Sequence, residues 1–237
     1  MTSRLVPAVG AALLLLTGTG CTGCSARDTG APAARALPAA PVPQAAGQLE
    51  ALLVTDVPSG LPRVPDAELE RLLVQEVPSG LPRVPDDELD PPAGEKTIDD
   101  VARYGEDAAE QRAVLADYGY QRGWERFWRS GNALTSVFID QFSDPDGAGS
   151  YAEDLARNDA EYYDGELDSA PSDLPDGCVL MPRDEPAPDR GLAGPAAFAW
   201  CASGVFTVAV AAMAATPADA RAELVAVTAA QLDRLPG

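Results

Sequence analysis

The chain has no histidine among its 237 residues. A Ser-His-Asp triad, a Cys-His pair, an imidazole-ligated zinc site and a histidine pH switch are therefore excluded. Lysine is nearly absent too. Lys96 stands alone against sixteen arginines, and 37 acidic residues bring the formal net charge to −20. A nucleic-acid surface needs a basic footprint, so no nucleic-acid partner is expected. Anionic headgroups repel such a chain, so membrane attachment has to come from something other than charge. After the first twenty residues there is no apolar run of membrane-spanning length. No GxGxxG turn and no phosphate-binding loop occurs, so no cofactor is expected.

What is present begins with an export signal. Arg4 precedes an apolar run from Leu5 to Leu16, followed by Thr17-Gly18-Thr19-Gly20-Cys21. Residues 1–20 read as a signal peptide, because the run is shorter than the roughly 20 residues of a permanent span. A cysteine where cleavage falls is the site of lipid attachment. Cys21 is the expected acceptor, with Cys24, which has the same Thr-Gly before it, as the alternative. The expected location is the extracytoplasmic face of the cell membrane, held by lipid; simple secretion is the alternative.

Residues 21–48 are dominated by alanine, proline and glycine, as in Pro38-Ala39-Ala40-Pro41-Val42-Pro43. Such a stretch cannot build a core and reads as a disordered spacer. Residues 49–95 hold a tandem duplication. LEALLVTDVPSGLPRVPDAEL, residues 49–69, matches LERLLVQEVPSGLPRVPDDEL, residues 69–89, at 17 of 21 positions. Two units fall short of the three or more that a solenoid needs. The reading is a recent duplication, with the second copy docked on the domain and the first lengthening the spacer. In each copy a short helix ends at Pro-Ser-Gly, a turn signal.

Residues 96–237 read as an α+β domain. Thr97 caps a helix that runs to Gly119 through Val101, Tyr104, Ala108 and Leu115. Strands are expected at 120–129 and 133–142 around the turn Ser130-Gly131-Asn132. A helix opens at Asp144-Pro145 and runs to about Tyr163. Strands follow at 178–182, 196–202 and 205–213. A last helix opens at Thr216-Pro217 and extends to Leu235. A strand pair followed by a helix thus occurs twice, which fits an antiparallel sheet with helices packed against it.

Four short motifs carry a resemblance. They are LL-x-x-x-VP-x-G at Leu72–Gly80, Glu110-Gln111-Arg112-Ala113-Val114-Leu115, Gly119-Tyr120 and Phe138–Phe142. Over residues 49–237 the chain resembles a group of uncharacterised secreted lipoproteins of actinobacteria. The resemblance implies the compartment and the architecture. It implies no activity, and the duplicated first element departs from the group.

Several constellations bear on chemistry. Asp144, Asp146, Gly147 and Glu153 fall at positions 3, 5, 6 and 12 of a calcium loop, but position 1 is Phe142 and Pro145 interrupts the ligands. A helix cap explains them better, and no metal site is expected. Strand alternation places Tyr120, Trp124 and Trp128 on one face with Arg122 and Arg126. That face reads as core with arginines snorkelling at its edge, or as a binding face for a glycan or an envelope protein. Carboxylates are the only acid-base groups available, and they are too numerous to nominate a glycosidase pair. Cys178 and Cys201, near the ends of two neighbouring strands, are expected to form a disulfide in an oxidising compartment. The sequence therefore points to a lipid-anchored, non-enzymatic binding or interaction module. The alternatives are an envelope hydrolase with paired carboxylates and an assembly factor for a membrane complex.

Overall fold

Two hairpins form the middle of the molecule, and glycine decides where both turn. Gly131 and Gly204 each take the first loop position with φ of 58° and 55°, a conformation that two-residue hairpin loops require and side chains resist. Each loop joins strands whose last and first residues pair directly, Ser130 with Ala133 and Ser203 with Phe206.

The computed structural model describes residues 69–236. Its elements are α1 (Leu69–Leu72), β1 (Gly94–Lys96), α2 (Ile98–Ala102), α3 (Ala108–Asp117), β2 (Tyr120–Ser130) and β3 (Ala133–Phe142). They continue with α4 (Pro145–Tyr163), β4 (Cys178–Arg183), β5 (Ala196–Ser203), β6 (Phe206–Met213) and α5 (Pro217–Leu232). The six strands form one sheet in the order β1-β2-β3-β6-β5-β4, with every neighbouring pair antiparallel. This is the expected α+β architecture.

The helices start where the sequence supplies side-chain acceptors. Thr97 and Asp100 form a reciprocal capping box, Asp107 caps α3, Asp144 caps α4 and Thr216 caps α5. Pro145 and Pro217 occupy the first turns, where a missing N–H costs nothing. The single helix expected from Thr97 to Gly119 is two helices. They part around Gly105, which packs against Gln111 so closely that a Cβ there meets its Cγ at 2.1 Å. Asp107 then supplies a fresh cap. Strand β1 was not foreseen; its three residues pair with Gly123–Glu125 at the sheet edge.

Both faces of the sheet are covered. Alternate residues on one face, including Phe127, Phe138, Phe198 and Trp200, form a core with Tyr151, Leu155 and Tyr163 of α4 and with Leu115 of α3. Helix α5 and the segment Leu69–Val84 cover the opposite face. That segment is most of the second repeat copy. Leu69, Leu73, Val74 and Val77 are buried, and hydrogen bonds tie Val84 N to Phe127 O and Arg129 N to Pro82 O. The first copy lies outside the described residues, as do Cys21, Cys24 and the spacer.

Cys178 and Cys201 are direct cross-strand partners, and their sulfurs are bonded. The bond ties β4 to β5 beside core residues of both strands, among them Leu180, Met181, Phe198 and Trp200.

Candidate functional site

The segment Leu69–Val84 is held at two places. At the first, Arg126 of β2 donates to Val74 O at 3.0 Å and pairs with Glu70 at 3.1 Å. Arg126 is fully buried and does not snorkel, because the segment crosses above it and supplies the acceptors. Burial pulls its guanidinium below the usual range, though Glu70 opposes the shift. At the other end of α5, Gln231 accepts from Val74 N at 3.0 Å and donates to Leu72 O at 2.8 Å.

The second place is Glu223. Its Oε2 accepts from Ser79 N at 2.9 Å, and its Oε1 accepts from the Ser79 hydroxyl at 2.5 Å and the Thr135 hydroxyl at 3.1 Å. The carboxylate is 9% exposed and lies on the inner stripe of α5 with Ala220, Leu224, Val227 and Gln231. Beside it opens a cavity of about 370 Å³. Pro78 and Leu81 of the docked segment form one wall, and Met213 and Ala222 form others. Ser79, Thr135, Glu223 and Asp219 supply its polar groups. The volume lies in the range of small-molecule sites.

The donors here are already used. Both hydroxyl protons and the Ser79 N–H point at Glu223, so these two hydroxyls and this carboxylate offer the cavity only acceptor lone pairs. Asp219, at the start of α5, adds a further negative charge. Such a lining matches a ligand that donates hydrogen bonds, above all an ammonium group on a small apolar body.

A separate cluster lies on the opposite face. Lys96, the only lysine, is buried against Glu125, with Nζ–Oε2 at 3.1 Å, and also donates to Pro92 O. Tyr104 donates to the other Glu125 oxygen at 2.7 Å. Asp140 sits on the neighbouring strand opposite Gly123, where any Cβ would strike its Oδ1 at 2.2 Å. Burial pushes Asp140 up to about 7, and the neighbouring Tyr120 hydroxyl pulls it partly back. Burial also raises Glu125, against the pull of Lys96. Asp159 of α4 is fully buried with neither oxygen hydrogen-bonded. The Trp200 indole N–H lies near it without closing a bond, and burial pushes the carboxyl well above its ordinary range.

The residues proposed as one binding face are divided. Trp124, Arg126 and Trp128 share the face under the repeat segment, with Trp128 1% exposed and bridged to Arg83. Tyr120 lies on the other face, against Phe142 at 5.6 Å between ring centres, and its hydroxyl donates to Lys96 O at 3.4 Å. An irregularity between Tyr120 and Arg122 shifts the pairing register and reverses the alternation at that point. Arg122, half-exposed, donates to Gln141 at 2.9 Å. Asp144 spends its carboxylate on the N-terminus of α4, accepting from Gly147 N, and Phe142 is core.

Glu223, Ser79 and Thr135 were missed in the sequence. The signal was there for Glu223: spacings of three and four from Ala220 to Gln231 place it on the inward stripe, where an unpaired carboxylate is costly.

No protein-family model matches the chain, and no curated protein matches it. Among solved structures it is similar to the extracellular domain of PknH from Mycobacterium tuberculosis, at 13% identity and a TM-score of 0.44, over 73% of this chain and 97% of that one.

Proposed function

We propose that the chain is an exported, lipid-anchored envelope protein whose folded unit binds a small ligand without catalysis. The cavity beside Glu223 carries the reading. It has the size of a ligand site, its apolar walls come from two distant parts of the chain, and its polar groups present acceptors and negative charge. The ligand class is a small amphipathic molecule bearing an ammonium group. The Cys178–Cys201 bond supports an oxidising compartment. Among the described residues no helix is long and apolar enough to cross a membrane. The attachment proposed is lipid at Cys21, or at Cys24. Glu125 is occupied by Lys96 and Tyr104, and Glu223, in the cavity itself, by Ser79 and Thr135, which favours binding over hydrolysis.

Two experiments test the proposal. Native mass spectrometry of the protein taken from its own envelope should show a small adduct, and Ala222→Phe, which fills the cavity, should lose it. An adduct retained by Ala222→Phe would contradict the site. Metabolic labelling with a fatty-acid analogue should tag the wild type and not Cys21→Ser; persistence of the tag moves the anchor to Cys24.

A further inference from the structure

The positions at which the repeat copies differ avoid the buried side of the docked segment. In the second copy they are Arg71, Gln75 and Glu76 within the segment and Asp87 just past it, and all four are exposed. The buried residues Leu69, Leu73, Val74 and Val77 have identical counterparts at Leu49, Leu53, Val54 and Val57. Both side chains that hold the segment have counterparts as well: Glu70, paired with Arg126, matches Glu50, and Ser79, latched to Glu223, matches Ser59. Gly80, at φ of 67°, matches Gly60. The remaining ties run through main-chain atoms at Arg71, Leu72, Val74, Pro82 and Val84, which carry no sequence requirement.

We propose that the groove between β2 and α5 is a receptor for this motif that does not distinguish its copies, and that residues 49–64 of the same chain fill it when residues 69–84 leave. The contacts of the seated segment are equivalent in either state. What differs is the connector to β1, where Leu89 and Ala93 pack against the core, and chain entropy, because seating the first copy loops out twenty residues ahead of β1. That cost grows only with the logarithm of loop length, so the second copy predominates and the first remains competent. With a lipid anchor at Cys21, the exchange changes the tether by twenty residues.

Thermal melting of four full-length chains tests this: wild type, Leu53→Asp, Leu73→Asp and the double variant. Leu53→Asp should melt as wild type. Leu73→Asp should fall only slightly, because the first copy takes over, and the double variant should fall far below both. Limited trypsin digestion of Leu73→Asp should show new cleavage after Arg83 and protection after Arg63. Leu73→Asp melting as low as the double variant would overturn the proposal, as would a double variant that melts like wild type. A deletion of residues 69–88 provides a check free of buried charge. It should melt with the deletion of residues 49–68, and a clearly lower value would show that the groove discriminates. Melting of Leu73→Asp that rises with protein concentration would place the exchange between molecules and overturn the intramolecular form.

Discussion

Glu223 accepts both the backbone N–H and the hydroxyl of Ser79, a residue 144 positions earlier in the chain. One carboxylate thus joins the last helix to a segment that precedes the first sheet strand. Thr135, from the centre of the sheet, completes its shell. Glu223→Ala should leave these three donors without an acceptor and cost about 2–4 kcal/mol, since hydrogen bonds to charged groups are the stronger kind. Glu223→Gln, which keeps one acceptor oxygen, should cost less. Chemical denaturation of both variants checks the order, and equal stability of Glu223→Ala and wild type would show that the latch is ornamental.

The buried carboxyl of Asp140 sets a pH dependence. Its folded value of about 7 stands above its unfolded value of 3.8, so the folded state binds the extra proton between them. Stability therefore falls as pH rises through that window and levels off above it. Burial shifts Asp159 and Glu125 in the same direction. Asp140→Asn removes one contributor. Melting temperatures of the variant and the wild type should diverge in favour of the variant from about pH 4 to about pH 7. A constant difference across that range would show that Asp140 stays ionised in the fold.

Most of the layered fold was legible because its signals are local. Asp144-Pro145 and Thr216-Pro217 open helices where the caps and first-turn prolines say they should. Gly131 and Gly204 mark the hairpin turns, and the strand from Ala133 to Phe142 has the expected ends. What escaped reading depends on distant parts of the chain. Strand β1 is three residues long and exists only because β2 offers it an edge. Tyr120 changes face because of one irregularity that no periodicity reports. Arg126 reads as an edge residue until the repeat segment is placed above it. The site beside Glu223 joins residues from three elements, and only the inward spacing on α5 hinted at it.

The bond between Cys178 and Cys201 ties strands β4 and β5 across a separation of 23 residues. In the chain-entropy model a loop of this length contributes roughly 3 kcal/mol. Cys178→Ser with Cys201→Ser should lower stability by about that amount and leave the wild type's response to reductant absent from the variant. Peptide mapping without reduction should find the two cysteines joined in wild type; both alkylated without reduction would contradict the bond.

The central claim is that the second repeat copy is a layer of the fold and not part of the spacer. The direct measurement compares cooperative unfolding of two truncations, one beginning at Leu69 and the other at Gly94. The account predicts that residues 69–237 melt like the full chain. It predicts that residues 94–237, with Trp128, Val137 and Arg126 uncovered, lose the cooperative transition and bind a hydrophobic dye. A chain starting at Gly94 that melts cooperatively at the full-length temperature would contradict it.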